Sequence, residues 1–198
     1  MEIDLTQLIP DVRYLDDVRM VLANQEVAKT IPNTELYFMY RGIEEKNGIR
    51  YDITVVPPHR FGNEFVKTKG HYHMGNYGEI YTVLEGEAIY LMQKRKAESE
   101  NEIEDVYAVH AKKGDVVIIP SNYGHITINA SDKELKMANW VASACMSDYS
   151  LFEKYQGGCW YYTQEGWVKN EKYQEVPELR FEEPTKEVPQ DLEFLKKP

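Results

Sequence analysis

Residues 68–83 have the sequence TKGHYHMGNYGEIYTV, and the fold assignment depends on this stretch. His71 and His73 are two positions apart, so on a β-strand both rings point to the same face. Glu79 follows six residues after His73, and His125 lies far away at the start of another predicted strand. Three imidazoles and one carboxylate suit Fe(II), Mn(II), Ni(II), Zn(II) or Cu(II). The pattern predicts a metal site, with buried histidines bonded to backbone carbonyls as the structural alternative.

Short predicted strands, separated by turn residues, surround this stretch. Asn47-Gly48 is a strong hairpin signal between the first two strands, and Gly86 and Gly114 mark later turns. The predicted strands span residues 36–40, 49–56, 79–84, 88–93, 106–110, 116–119, 126–129 and 135–141. Many short strands at short spacing predict an all-β protein, an antiparallel sandwich or barrel with short peripheral helices.

The two ends of the chain differ from this β-rich centre. Residues 1–34 are predicted to be an N-terminal extension that packs on the barrel, with a short helix capped by Asp16 or Asp17. Residues 35–170 are predicted to form the barrel itself. Residues 171–198 carry several prolines among many charges, and proline at that density interrupts strands and helices. We expect this tail to run extended over the surface or over a neighbouring subunit.

Composition restricts the classes of function. The chain has 198 residues, of which 42% are hydrophobic and 28% charged, so one domain with a real core is expected. The net charge of −10 argues against a nucleic-acid or anionic-membrane partner. No apolar run approaches the roughly 18 residues of a membrane helix, and the acidic N-terminus does not resemble a signal peptide. Cys145 and Cys159 are too few for a disulfide framework, so a cytoplasmic location is expected.

Two sequence blocks resemble the paired motifs of the cupin superfamily. The first block runs from the histidine pair through Glu79 to a glycine, Gly86. In the second block, Gly114 is followed by Pro120, and His125 comes five residues after that proline. The resemblance implies a cupin barrel, which is a double-stranded β-helix or jelly roll with a metal ion in its mouth.

The gap between the second histidine and the glutamate indicates which family of cupins the sequence resembles. Five residues separate His73 from Glu79, whereas most cupins have three or four. This longer gap and the string TKGHYH resemble the cupin-type (archaeal-type) phosphoglucose isomerases, and the resemblance covers residues 35–170. It implies that the metal is held by His71, His73, Glu79 and His125, that the phosphate is bound by Thr54, Thr68, Gly70 and Tyr149, and that the sugar is lined by Tyr77 and Tyr81.

The same resemblance implies a reaction. A metal-dependent isomerase of this family interconverts glucose 6-phosphate and fructose 6-phosphate in glycolysis or gluconeogenesis. One divalent metal per subunit is expected, with Fe(II) favoured and Mn(II), Ni(II) or Zn(II) as alternatives. A metal on O1 and O2 of the open-chain sugar stabilises an enediolate, and Glu79 is the candidate base. If Glu79 stays on the metal, a metal-assisted hydride shift is the alternative.

Catalytic roles are also expected for the two tyrosines of the first block. Tyr77 and Tyr81 would orient sugar hydroxyls or move protons between O1 and O2, although either could be a core residue. By family resemblance we expect a homodimer, with the N-terminal segment as a candidate swapped strand.

The phosphate site is expected to work without a large basic patch. The hydroxyls of Thr54, Thr68 and Tyr149 and the backbone N–H of Gly70 can hold a phosphate monoester. Alternation along a strand predicts that the side chain of Lys69 points away from its two neighbours. Gly70 either lets a ligand approach the backbone or relieves crowding inside the barrel.

Two departures from the family pattern keep other functions open. A family tyrosine falls on Val141, and a family histidine falls on Ser147. One alternative is another cupin metalloenzyme, either an isomerase of a different phosphosugar or an Fe dioxygenase. A second alternative is a non-catalytic cupin that binds sugar phosphates.

Overall fold

The computed structural model describes residues 3–75 and 77–196. Strands are the predominant secondary structure, which confirms the predicted all-β class. The described strands are β1 (Asp11–Tyr14), β2 (Glu35–Lys46), β3 (Ile49–Val56), β4 (Arg60–Phe61), β5 (Glu64–Lys67), β6 (Tyr72–Met74), β7 (Glu79–Glu85), β8 (Glu87–Arg95), β9 (Ile103–Lys112), β10 (Val116–Ile119), β11 (Gly124–Asn129), β12 (Leu135–Ala142), β13 (Met146–Asp148), β14 (Trp160–Thr163), β15 (Gly166–Lys169) and β16 (Arg180–Glu182). Two short helices, α1 (Gln25–Thr30) and α2 (Ser150–Lys154), accompany them.

Two large sheets pack against each other as the predicted jelly-roll barrel. The first sheet has the strand order β1-β2-β3-β12-β7-β10. The second has the order β15-β14-β5-β11-β8-β9-β16, with β4 paired to β5. Apolar side chains from both sheets, such as Val83 and Leu91, belong to one buried core between them. Burying this core removes apolar area from water and is the main stabilising term of the fold.

The first hairpin shows how local sequence determines the sheet. Asn47 and Gly48 both have positive φ, 54° and 74°, as a tight hairpin turn requires. The turn joins β2 to β3, and the predicted hairpin is confirmed. Because side chains alternate along β3, Thr54 and Asp52 share its inner face. Their partners across the sheet are Met137 and Asn139 of β12.

The N-terminal segment corrects one prediction. The single helix expected at Asp16 or Asp17 is replaced by two short 3-10 turns, Leu15–Asp17 and Arg19–Val21. The α-helix of this segment, α1, begins later, where the side chain of Asn24 accepts hydrogen bonds from two backbone N–H groups. Apolar residues of the segment, including Leu15 and Leu22, belong to the main core, and β1 pairs with β2 of the same chain. The division of the chain at residues 34 and 170 stays a prediction.

The C-terminal tail contains more structure than its prolines predict. Strand β16 pairs in parallel with β9, and Thr185 exchanges backbone hydrogen bonds with Val116. A 3-10 turn at Glu193–Lys196 buries Leu195 completely. The tail is therefore attached to the sheet by backbone hydrogen bonds of residues that lie between its prolines. In the described parts of the chain, no helix has both the length and the apolar surface needed to cross a membrane.

Candidate active site

A cavity between the two sheets gathers most of the residues that the sequence singled out. Strands β2, β3, β7 and β12 form one wall, and His125 of β11 and the segment before β6 form the other. Nine of the ten predicted site residues line it: Thr54, Thr68, Gly70, His71, His73, Glu79, Tyr81, His125 and Tyr149. The tenth, Tyr77, is not among the lining residues. Its ring packs against the small buried cluster of Val141, Ala142 and Cys145.

The predicted metal ligands form one compact cluster inside this cavity. One nitrogen or oxygen atom from each of His71, His73, Glu79 and His125 lies within 4.8 Å of the other three. Glu79 Oε2 is 3.3 Å from His73 Nε2 and 3.2 Å from His125 Nε2. The geometry therefore confirms that these four side chains converge, as their spacing in the sequence predicted.

Different backbone features position the four side chains. His71 precedes β6 and exchanges backbone hydrogen bonds with His125, which ties the first motif to β11. His73 lies in β6, and its Nδ1 donates to the carbonyl oxygen of Tyr77 at 2.8 Å. This bond leaves Nε2 facing Glu79, the first residue of β7. Tyr77 thus supports the cluster through its backbone.

The hydrogen bonds of the cluster are incomplete on the side that faces inward. Asn139 Nδ2 donates to Glu79 Oε1 at 2.6 Å. Among the described residues, no hydrogen bond of acceptable geometry reaches Glu79 Oε2 or either ring nitrogen of His125, although all three atoms are buried. Buried polar atoms normally have partners, so such atoms need an explanation. Imidazole and carboxylate donors are the ligands expected for a first-row divalent metal, and the set fits one.

The pKa values of the cluster leave three of its four side chains in the protonation state that binds a metal. Burial opposes the charge on Glu79, but the close imidazoles of His125 and His73 outweigh it and hold the pKa of the carboxyl well below its usual range. Burial lowers the pKa of His71 and of His125, which keeps both rings neutral. Burial also disfavours the charged form of His73, but the Cys145 thiol and Glu79 raise the pKa of that ring to about 10. A metal would have to displace the His73 proton.

The predicted phosphate residues all line the same cavity as the candidate metal ligands. Thr68 Oγ1 accepts a hydrogen bond from the backbone N–H of Thr127 at 3.0 Å, so its own proton is free to be donated. The Tyr149 ring centroid is 5.5 Å from that of His71, which links Tyr149 to the metal cluster. The predicted direction of Lys69 is wrong. Residues 68–70 are not in a strand, so alternation does not apply, and Lys69 also lines the cavity.

The structure explains the glycine at position 70. Its φ is +80°, and a Cβ atom there would lie 2.6 Å from a side-chain carbon of Ile126 and 2.8 Å from Phe152. Both the backbone conformation and the crowding exclude larger residues. Of the two predicted reasons for this glycine, the crowding reason is confirmed by the geometry.

Several cavity residues escaped the sequence interpretation. Asp52 is a second buried carboxylate in the cavity, and it accepts hydrogen bonds from Arg50 Nε at 2.9 Å and from the backbone N–H of Gly42 at 2.7 Å. Alternation from Thr54 along β3 would have identified both Asp52 and Arg50. Asn139 lacked any comparable signal, because it depends on the register of β12 against β7. The two positions that depart from the family pattern, residues 141 and 147, also line the cavity.

Comparisons with known proteins identify the family of the chain. A family model described as glucose-6-phosphate isomerase (GPI) matches residues 10–178. A glucose-6-phosphate isomerase of Thermococcus onnurineus is 31% identical over 165 residues, covering 78% of this chain and 84% of the relative. One of Thermococcus litoralis is 32% identical over 130 residues, and the match spans 62% of this chain and 64% of that relative. Among solved structures, oxalate decarboxylase from Bacillus subtilis aligns with 56% of this chain and 27% of its own, at 19% identity and a TM-score of 0.41.

Proposed function

We propose that this chain, which belongs to the glucose-6-phosphate isomerase family, interconverts glucose 6-phosphate and fructose 6-phosphate. The family model spans both sequence blocks and every predicted site residue. The observation that carries the proposal is the convergence of three histidines and Glu79 in a cavity that also contains the predicted phosphate residues.

One divalent metal per subunit is part of the proposal. His71, His73, Glu79 and His125 would hold it, with Fe(II) favoured and Mn(II), Ni(II) or Zn(II) as alternatives. A metal there would supply Lewis-acid polarisation of the sugar carbonyl. Glu79 Oε2 and the His125 nitrogens, which are buried and have no hydrogen-bond partner in the described part of the chain, support this assignment.

Glu79 is the proposed base of the isomerisation. The reaction moves one hydrogen between C1 and C2 of the open-chain sugar. The Glu79 carboxylate would turn from the metal site to the substrate, take the proton from C1 of fructose 6-phosphate and return it to C2, while the hydroxyl proton passes from O1 to O2, which yields glucose 6-phosphate. Burial and the charge of Glu79 raise the pKa of Tyr81 well above its usual value, so its phenol keeps its proton and can donate to a sugar oxygen.

A direct hydride shift from C1 to C2 is the alternative route, and an isotope separates the two. In D₂O, proton transfer through Glu79 introduces deuterium from solvent at the receiving carbon, whereas a hydride shift does not. Mass spectrometry of the product after a single turnover would decide between them.

The phosphate would bind to uncharged donors of the cavity wall. Thr54, Thr68 and Tyr149 offer hydroxyl donors there, and Gly70 offers a backbone N–H. None of these donors requires a basic surface, which agrees with a chain of net charge −10. A role in glycolysis or gluconeogenesis, a cytoplasmic location and a homodimeric state complete the proposal.

The decisive experiment is conversion of fructose 6-phosphate to glucose 6-phosphate by the purified protein, followed with a coupled dehydrogenase. We expect activity that EDTA abolishes and that one of Fe, Mn, Ni or Zn restores. Absence of activity with every metal, despite metal bound by elemental analysis, would contradict the proposal.

Two residues that line the cavity favour a second candidate function. Val141 and Ser147 line the cavity at positions where the family pattern has a tyrosine and a histidine. Changed sugar contacts would shift the preference toward another phosphosugar, so mannose 6-phosphate is the first substrate to assay beside fructose 6-phosphate.

A further inference from the structure

The N-terminal strand brings an arginine beside Tyr149, one of the residues that line the cavity. In the register of β1 against β2, Arg13 lies directly opposite Tyr37, which lines the cavity and is 3% exposed. The guanidinium carbon of Arg13 is 5.7 Å from the centroid of the Tyr149 ring. On the same ring, Lys69 Nζ is 5.2 Å from the centroid. Two cations therefore flank the tyrosine that is proposed to bind phosphate.

Only one of these two cations is neutralised by a close carboxylate. Lys69 Nζ forms an ion pair with Glu153 Oε1 at 2.5 Å. Within residues 3–75 and 77–196, Arg13 has no carboxylate partner at ion-pair distance; burial opposes its charge, but Tyr37, Tyr149 and Asp17 together raise the pKa of the guanidinium. Burial raises the pKa of Tyr37 to about 12, so that neighbour is neutral. Among the described residues, Arg13 is therefore a positive charge beside Tyr149 that has no ion-pair partner.

The hydrogen bonding of Arg13 is incomplete as well. Its Nε is buried and has no hydrogen-bond partner among the described residues. A guanidinium is always charged and presents several donors in a planar fork that matches phosphate oxygens. An unpaired donor of this kind beside Tyr149 is the arrangement expected next to an anionic group.

We propose that Arg13 provides the charge that holds the substrate phosphate against Thr68, Gly70 and Tyr149. The inference rests on the proposed function and deepens it, because it assigns part of the phosphate site to the N-terminal extension. The hydroxyl and amide donors of the site carry no net charge. A dianion entering a protein of net charge −10 is held more strongly when a cation lies nearby.

The test compares Arg13→Met and Arg13→Lys with wild type and with Arg60→Met, an exposed arginine outside this cavity, as control. For Arg13→Met, we expect the KM for fructose 6-phosphate and the inhibition constant of inorganic phosphate to rise by about 10- to 100-fold. We expect kcat to change far less, Arg13→Lys to recover part of the affinity, and the control to match wild type.

A second measurement does not depend on activity. Inorganic phosphate should raise the melting temperature of metal-free wild type, and this rise should be smaller for Arg13→Met. If circular dichroism shows that Arg13→Met is unfolded, Arg13→Gln makes the same comparison, because it keeps amide donors without the charge.

The outcomes separate this inference from the proposed function. An unchanged KM and phosphate inhibition constant in Arg13→Met, with wild type active, would overturn the inference alone. A loss of kcat without a change in KM would assign Arg13 a structural role and would also overturn it. An inactive wild type whose phosphate-induced stabilisation still depends on Arg13 would overturn the isomerase proposal and leave the inference standing.

Discussion

Two buried carboxylates in this molecule have opposite hydrogen-bond situations. Glu64 of β5 is 1% exposed and Glu79 of β7 is 3% exposed. Glu64 forms an ion pair with the buried Lys67, and its other oxygen accepts a hydrogen bond from the backbone N–H of Ala23 at 2.8 Å. The Lys67 ammonium also lies 4.6 Å from the centroid of the Tyr161 ring. Every charge of this pair therefore has a partner supplied by the protein.

Among the described residues, only one of the two carboxylate oxygens of Glu79 has a hydrogen-bond partner. Its Oε1 accepts from Asn139, but its Oε2 faces His73 and His125 without a well-formed hydrogen bond. A buried charge with all its partners fastens segments together, and here it joins the N-terminal segment to β5. A buried charge with an open side is a candidate ligand site. Burial therefore does not distinguish a structural carboxylate from a candidate ligand. The distinction is whether each buried oxygen has a hydrogen-bond or ion-pair partner.

The largest expected effect is a loss of activity when the Glu79 carboxylate is replaced. For Glu79→Gln we expect kcat to fall by about 10²- to 10⁴-fold, because the amide can neither accept the proton nor bind metal as a carboxylate does. The unfolding free energy of the metal-free protein should fall by less than the about 3–5 kcal/mol of a broken buried pair, because the His73 ring can lose its proton when the Glu79 charge is removed. Steady-state kinetics and urea unfolding after chelation measure the two quantities. A variant that loses activity and also about 3–5 kcal/mol of stability would abolish the distinction between Glu79 and Glu64.

The Glu64–Lys67 ion pair should show the reverse, which is a loss of stability without a loss of activity. Lys67→Met leaves the Glu64 charge buried and unpaired, so we expect a loss of about 3–5 kcal/mol in unfolding free energy. The folded variant should keep its kcat. Urea unfolding checks this, with Lys29→Met as the matched control, because Lys29 and Glu26 form an ion pair on the exposed surface. A loss no larger than that of the control would show that the buried pair does not stabilise the fold.

A smaller effect is expected at the amide that holds Glu79. Asn139→Ala removes the donor to Oε1 but leaves the four candidate ligands in place. We expect metal affinity or activity to fall by about 10- to 100-fold, as is usual for groups that orient a ligand. Calorimetric titration with Mn(II) or Zn(II) measures the affinity. Unchanged affinity together with unchanged kcat would mean that the histidines alone hold Glu79 in position.

The smallest effect is expected when both charges of the structural pair are removed together. Glu64→Gln with Lys67→Met keeps an acceptor for the Ala23 N–H and leaves no unpaired charge. We expect this double variant to lie within about 1–2 kcal/mol of wild type and above Lys67→Met alone. Urea unfolding of the two single variants and the double variant completes the cycle. Additive losses would show that the two side chains act independently.

Sequence analysis succeeded where the pattern is local. Alternation placed His71 and His73 on one side, and Asn47-Gly48 located the first hairpin within one residue. It failed for Lys69, because it assumed a strand that the chain does not form there. It also missed the short 3-10 turns around Leu15, whose conformation depends on packing against the sheets rather than on a periodic pattern.

The all-β class, the pair of motif blocks and the four candidate metal ligands were all predicted from the sequence. The further residues around them depend on the fold: Asn139 on Glu79, Asp52 in the cavity wall and Arg13 beside Tyr149. The two groups differ in how far along the chain the signal extends. Which face a side chain takes follows from its immediate neighbours along a strand, whereas its partners depend on the register between strands far apart in the chain.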